Sequence, residues 1–473
     1  MTLPKHILEL SKSVPLGEVV EFNPRFGKDE LAGDSLASFI PMKCVEEESG
    51  RFEPLGDRKV AEVRKGYTPF RDGDVIFAKV TPCMENGKAA VLKGLTNGVG
   101  FGSTEFFALR PKNGLEANYL FHFILQSNFR RDAARNMTGA VGLRRVPKQW
   151  LEQQTIPLPD PDEQRRIVAE IEKQFTRLEA GVAALRRVQA NLKRYRAAVL
   201  KTACEGRLVP TEAELHRKFK TKDSKLETGA HLLARILTER RQNWQGRGKY
   251  KEPATPDATK LPAIPAGWTW LSVETIGFVT KLAGFEYTKY VKYSPDGDLA
   301  VIKAENAGRS GFKRTEISRI KSSTVAQLTR SQLKAGDLLM VFVGAGTGNV
   351  ARVPDDQPYF LGPNIAMIRV EPREVSEAYL EMFLRSPVGH SLTFGFIKAV
   401  AQPSLSMGTI RMIPVALPPL AEQTRIVAEV ERRLSVVEEL ESVVTANLQR
   451  ATRLRQSILK KAFTGQLNGT QTP

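Results

Sequence analysis

A ten-residue segment occurs twice in this chain, and that duplication limits the possible folds more than any other feature. Residues 163–172 read Glu-Gln-Arg-Arg-Ile-Val-Ala-Glu-Ile-Glu and residues 422–431 read Glu-Gln-Thr-Arg-Ile-Val-Ala-Glu-Val-Glu, identical at eight positions and 259 residues apart. The same offset aligns Leu200-Lys201-Thr202-Ala203-Cys204-Glu205-Gly206 with Leu459-Lys460-Lys461-Ala462-Phe463-Thr464-Gly465, with no gap in between. Self-similarity at a fixed spacing marks a duplicated structural unit. The chain is therefore expected to be built as two equivalent halves.

Each copy opens a long helix. In Pro157-Leu158-Pro159-Asp160-Pro161-Asp162-Glu163, Asp160 suits the capping position, Pro161 the first helical position, and Glu163 a return bond to the cap. Apolar residues then recur every seventh position at Ile171, Leu178, Leu185, Leu192 and Val199, with Phe175, Val182, Val188 and Tyr195 interleaved. That is a heptad seam, closed by Gly206 at a helix-ending position. The second copy has Val430, Val437, Val444, Ala451 and Ile458, with Leu434, Leu440, Leu448 and Leu454, and ends at Gly465. Its cap is weaker, because Pro419 replaces Asp160. About 44 residues at 1.5 Å rise make a rod of roughly 65 Å, too long to lie within a globular core. Each apolar stripe needs a partner, and the other rod is present at high local concentration. Antiparallel pairing would give an approximate two-fold stalk from one polypeptide.

The segments ahead of the rods read as mixed α/β. Phe70-Arg71-Asp72-Gly73-Asp74 is a turn into the strand Val75–Val80, and Lys88–Leu92 is the return strand after Asn86-Gly87. Glu105–Leu109 is a further strand, Glu18–Phe22 another, and Tyr119–Ser127 a buried helix. In the second half Gly336-Asp337 matches Gly73-Asp74, Leu338–Val343 the strand after it, Ala366–Val370 the region of Ala108, and Tyr379-Leu380 matches Tyr119-Leu120. The framework is shared and the loops differ. The expected fold class is α+β: two α/β domains separated by a pair of long antiparallel coiled-coil helices, with a pseudo-two-fold internal repeat. The expected boundaries are 1–155 and 263–414 for the domains, 156–206 and 415–473 for the rods with the C-terminal tail, and 207–262 for a basic linker. That linker carries a short amphipathic helix at Leu232–Trp244 and a proline-stiffened stretch from Lys249 to Pro256.

At 473 residues several domains are expected. The formal charge of +18 calls for an anionic partner, nucleic acid or an acidic membrane. No apolar run is long enough to span a bilayer, and no export signal is evident in Met1–Pro15. Cys44, Cys83 and Cys204 are scattered and odd in number, consistent with a reduced cytoplasmic setting.

Catalytic signatures are missing from the sequence. Gly344-Ala345-Gly346-Thr347-Gly348-Asn349 lacks the lysine of a phosphate-binding loop and reads as a glycine-rich hairpin turn. Asn23-Pro24-Arg25-Phe26 falls one proline short of a base-methyltransferase loop and reads as a turn after a strand. No Glu-x-Lys nuclease tripeptide occurs. The histidines His6, His122, His216, His231 and His390 form no metal spacing with the cysteines, and His122 reads as a satisfied core histidine. The chain has the character of a binder, with no catalytic residue, cofactor or metal expected.

Two variable α/β domains, each followed by Pro-Leu-Pro-x-x-x-Glu-Gln-x-x-Ile and a long helix ending Leu-Lys-x-Ala-x-x-Gly-x-Leu, resemble the specificity subunit of type I restriction–modification systems. The likeness spans essentially the whole chain, including Leu232–Trp244, Lys249-Tyr250-Lys251 and Ile264-Pro265-Ala266-Gly267-Trp268 in the middle. The short N-terminal lead departs from it, lacking the Pro-x-Gly-Trp entry that precedes the second domain. The resemblance implies that each domain is a target-recognition domain for one half of a split, asymmetric DNA site. It implies that the helices set the spacer and dock two methyltransferase subunits carrying S-adenosylmethionine, and that motor–nuclease subunits join for cleavage. A rod is a suitable ruler, since half-sites one helical turn apart are about 34 Å from each other.

The loops where the halves diverge supply the candidate DNA contacts. They are Lys79, Thr81, Asn86, Lys88, Arg144 and Arg145 in the first domain, and Asn349, Arg352, Asn364, Lys398, Gln402 and Ser404 in the second. Arginine and lysine suit guanine edges or phosphates, and asparagine and glutamine suit adenine. The alternative is a non-catalytic coiled-coil scaffold with nonspecific nucleic-acid binding; divergent loops on a repeated framework speak against it.

Overall fold

The computed structural model describes residues 12–27, 30–140, 142–219, 226–246, 248–314, 317–395 and 404–467. The chain divides into two compact units, one of residues 1–187 with 444–473 and the other of residues 188–443.

In the first unit, strands Val20–Phe22, Phe106–Pro111, Val75–Ala78 and Ala89–Val91 form an antiparallel sheet in that spatial order. A second sheet runs Asp57–Lys59, Leu36–Ile40, Val99–Gly102, Thr68–Arg71, with its central pair parallel. The two faces bury Phe77, Leu109, Ile76 and Phe106. The buried helix expected after residue 119 is present as α1, Ala117–Ile124. Glu18 belongs to a one-turn helix, Leu16–Val19, so the expected strand shortens to Val20–Phe22.

The second unit repeats this wiring. Gly277–Lys281, Ile365–Val370, Leu338–Val341 and Val350–Arg352 form the antiparallel sheet. Ser318–Ile320, Leu299–Ile302, Tyr359–Leu361 and Gln332–Leu333 form the mixed one, again with a parallel centre. Each unit also has a two-stranded ribbon, Ser13–Pro15 with Thr155–Pro157 and Thr269–Ser272 with Pro414–Leu417. The duplication thus extends to strand order and sense, well beyond the identical stretches of sequence.

The repeated Gly-Asp pairs also have a structural cause. Asp74 is buried, accepts the amide of Arg71 and forms a bidentate pair with Arg110 at 2.8 and 2.9 Å. Asp337 does the same with the amide of Lys334 and with Arg369 at 2.8 and 2.6 Å. A buried carboxylate needs such compensation for lost hydration.

The rods are α2, Pro161–Cys204, and, after α3 (Glu212–Phe219), α4 (Gly229–Gln242) and α5 (Glu377–Arg385), the helix α6, Leu420–Phe463. Both end in a left-handed glycine, Gly206 at φ 64° and Gly465 at φ 69°, which lets Arg207 and Gln466 donate back to Thr202 and Lys461. In the first unit the start of α2 and the end of α6 share a core through Ile167, Ile171, Leu459 and Phe463. In the second, the end of α2 and the start of α6 share one through Val199, Ala203, Ile426 and Val430. The pairing is antiparallel in each. The heptad seam is buried at Ile171, Leu192, Val199, Val430, Val437, Val444 and Ile458, each worth about 1.5–3 kcal/mol on burial.

Two expectations are corrected. The rods are not outside the globular cores, because their ends complete both of them. And Val188, Tyr195, Leu440 and Leu454, assigned to the interleaved series, are exposed. A paired rod buries one narrow seam, so the outer positions remain on the surface.

Candidate nucleic-acid interface

The repeated Glu-Gln dipeptide does its structural work mainly through the glutamine. Gln164 is fully buried; its Oε1 accepts the Glu116 amide at 2.8 Å and its Nε2 donates to the carbonyls of Gly114 and Pro159 at 2.9 and 2.8 Å. Gln423 accepts the Ser376 amide at 2.9 Å and donates to the carbonyls of Glu374 and Pro418 at 3.3 and 3.0 Å. Each glutamine ties a rod to the loop that opens α1 or α5. Nearby, Tyr119 and Tyr379 donate to the carbonyls of Pro157 and Ala416 at 3.0 and 2.7 Å.

The two glutamates behave differently. Asp160 caps α2 as expected, accepting the Glu163 amide at 2.9 Å, and the Glu163 carboxylate pairs with Arg166 at 2.8 and 2.9 Å. Glu422 does not hold its own helix start. It accepts the indole N–H of Trp268 at 2.8 Å and the amide of Glu212 at 2.9 Å, pinning the linker onto α6. Burial raises its carboxyl above the ordinary range against those two hydrogen bonds.

The candidate residues lie on other loops of the same two units. In the first domain the Lys79 amide donates to Glu105, the Val146 amide to Lys79, and the Thr81 amide to Arg144, all between 2.9 and 3.1 Å. Lys79, Thr81, Arg144 and Arg145 are thereby brought together. Arg145 forms a bidentate pair with Glu105 at 2.9 and 2.7 Å, which holds the Glu105 carboxyl below its usual range. Lys79 lies 5.4 Å from the ring centre of Phe107, and burial pushes its ammonium down. Arg144 donates to the carbonyls of Ala134 and Met137 at 3.2 and 3.0 Å. The Lys88 carbonyl accepts the Ala78 amide at 2.9 Å, next to that group, while the side chains of Asn86 and Lys88 turn to a neighbouring loop, to Glu47 at 2.8 Å and the Met42 carbonyl at 3.4 Å.

In the second domain the same backbone pattern recurs with other side chains. The Phe342 amide donates to Asn364 at 3.2 Å, the Leu405 amide to Phe342 at 2.8 Å, and Val343 bridges Ser404 as Val80 bridges Arg145. Phe342, Asn364 and Ser404 therefore occupy the places of Lys79, Glu105 and Arg145. Asn364 and Ser404 are exposed, and Lys281, which was not among the candidates, lies 5.1 Å from the Phe342 ring centre. Asn349 closes the glycine-rich hairpin turn and donates to the Ala307 carbonyl at 3.2 Å. Arg352 is not brought to this group; it pairs with Glu381 of α5 at 3.5 Å. Lys398 and Gln402 lie outside the described residues.

Asn23 adopts a left-handed φ of 52° and accepts the Ala108 amide at 3.1 Å, so Asn23-Pro24-Arg25-Phe26 is a structural turn. His122 is a core histidine but not a satisfied one. Neither ring nitrogen has a hydrogen-bond partner among the described residues, and burial lowers its pKa to about 3. Among those residues no cluster of metal-ligating side chains occurs, and no helix is long and apolar enough to cross a membrane.

Residues 9–184 match the family model described as the type I restriction modification DNA specificity domain. The chain is similar to the type I restriction enzyme EcoEI specificity subunit of Escherichia coli, 26% identical over 95% of this chain and 82% of that protein. It is likewise similar to the Escherichia coli EcoAI specificity subunit, 24% identical over 95% and 81%. A chain solved in work on complex assembly and conformational transition of the type I R-M system shares the fold, with a TM-score of 0.65, 20% identity, and coverage of 96% of this chain and 98% of that one. Residues 9–184 thus match a type I restriction modification DNA specificity domain, and over 95% of its length the chain is similar to type I restriction enzyme specificity subunits.

Proposed function

We propose that this chain is the non-catalytic DNA-reading subunit of a cytoplasmic type I restriction–modification complex, each domain reading one half of a split, asymmetric site. The observation that carries this is the matched loop scaffold: one backbone pattern presents Lys79, Glu105 and Arg145 in the first domain and Phe342, Asn364 and Ser404 in the second. A shared frame with unlike side chains suits two readers of different base sequences, and a scaffold protein has no use for it. The candidate DNA contacts are those named above in both domains, with phosphate contacts outnumbering base contacts. The +18 charge supplies the sequence-independent attraction.

The rods would set the spacer and dock two methyltransferase subunits, which bring S-adenosylmethionine and the catalytic loop; motor–nuclease subunits would add cleavage. Selection from random duplexes by the chain assembled with its methyltransferase tests the reading. Recovery of a bipartite motif with a fixed gap is the expected result, and indifference to sequence refutes it. Exchange of residues 1–155 for another such domain should alter one half-motif only.

A further inference from the structure

The two units each contain a groove formed by the same positions of the repeat. In the first unit a cavity of about 370 Å³ is lined by Glu172, Phe175, Thr176 and Glu179 of α2 and by Arg455 of α6. In the second a cavity of about 330 Å³ is lined by Glu431, Leu434, Ser435 and Glu438 of α6 and by Arg196 of α2. Every one of these pairs is related by 259 residues. The floor is His122 in the first and Met382, its counterpart on α5, in the second.

The charges repeat as well. Arg455 pairs with Glu179 at 3.2 Å, and Arg196 pairs with Glu438 at 3.5 Å. That leaves an exposed acid on the rod side of each groove, Glu172 and Glu431, whose carboxylates have no partner among the described residues. The domain side of each carries the opposite charge. In the first groove it is Lys93, which also lacks a partner among the described residues. In the second, Arg352 and Arg385 share the single carboxylate of Glu381 at 3.5 and 3.1 Å, and the buried Nε of Arg385 has no acceptor among the described residues.

We infer that each groove is the seat of one copy of the same partner segment, which presents an apolar side chain between a basic one facing Glu172 or Glu431 and an acidic one facing Lys93 or the Arg352–Arg385 pair. Two grooves with one residue pattern and one charge polarity take two copies of one protein. This inference rests on the docking part of the proposed function and assigns the residues that carry it.

The test uses the full chain and the purified methyltransferase subunit from the same cells, with stoichiometry read by native mass spectrometry. Glu172→Lys and Glu431→Lys each place a like charge against the incoming base, which should weaken that site more than about tenfold. Both residues are exposed on long helices, so helix content by circular dichroism should not change; Glu172→Gln and Glu431→Gln should give a smaller loss in the same order. Two copies on the wild type, one on each single variant and none on the double variant is the expected result. Two copies retained on the double variant overturns the groove assignment while leaving docking itself intact. No copy bound by the wild type would instead remove the docking part of the proposed function and the inference together.

Discussion

Replacement of Gln423 by alanine tests how the reading domain is held to its rod. The change removes three hydrogen bonds, one from the Ser376 amide and two to the carbonyls of Glu374 and Pro418, and takes from those backbone groups the partner that the fully buried Gln423 side chain supplies. At about 1 kcal/mol net per bond, with a further contribution from stranded polar groups, the loss is about 3–4 kcal/mol. For a unit of residues 188–443 each kcal/mol moves the melting point by about 2–4 °C, so the transition should fall by about 6–16 °C. Differential scanning calorimetry of the full chain reads this directly. Gln423→Met, which keeps the volume and removes the bonds, should retain most of the loss, and Gln164→Ala should produce a matching loss in the first unit. An alanine variant melting within about 2 °C of wild type would refute the idea that the repeated glutamine is the clamp.

Three further outcomes follow from the same structure. His122, held neutral by burial with a pKa of about 3, binds its proton in the unfolded chain before the folded one. The first unit should therefore lose stability as pH falls from about 6.5 toward 3, and His122→Met, the residue of the other half, should flatten that slope in melting curves taken against pH. Four residues inserted after Leu185 and after Val444 should lengthen each rod by about 6 Å and widen the preferred gap by about two base pairs with both half-motifs unchanged; an unchanged gap refutes the ruler. Arg145→Ala should cost about 1–3 kcal/mol in DNA affinity and relax preference at one base pair if Arg145 reads an edge, whereas a uniform loss across sequences with a shallower salt dependence assigns it to phosphate.

What could be read from the sequence was what is local. The rods declare themselves through seven-residue periodicity, the Asp160 cap and the terminal glycines, all decided within a few turns of helix. The Val75–Ala78 and Ala89–Val91 hairpin is legible because its turn lies between its strands. The mixed sheets escaped notice because their strands are two to five residues long and pair across wide gaps, as Ser38 does with Gly100. The glutamate was the conspicuous residue of the repeat, yet the partners that fix Glu422, Trp268 and Glu212, lie 154 and 210 positions away. The same distance problem hid the positional match between the two sets of candidate residues. Loop composition pointed to Lys79 and Arg145, but only the paired backbones show that Phe342 and Ser404 stand in their places.

The division of the rods has a consequence for how the protein is made. The first unit takes most of its residues from the earlier part of the chain, but its core includes Ile458, Leu459, Ala462 and Phe463 from the last turns of α6. A ribosome that has just passed Arg187 must complete the whole second unit before those residues emerge, about 15–55 s later at 5–20 residues per second. Through that interval Ile167, Ile171 and Phe175 lack the helix that covers them. Chains cut short anywhere before the end of α6 should therefore be the ones that aggregate, with the fault lying in the half that was synthesised first.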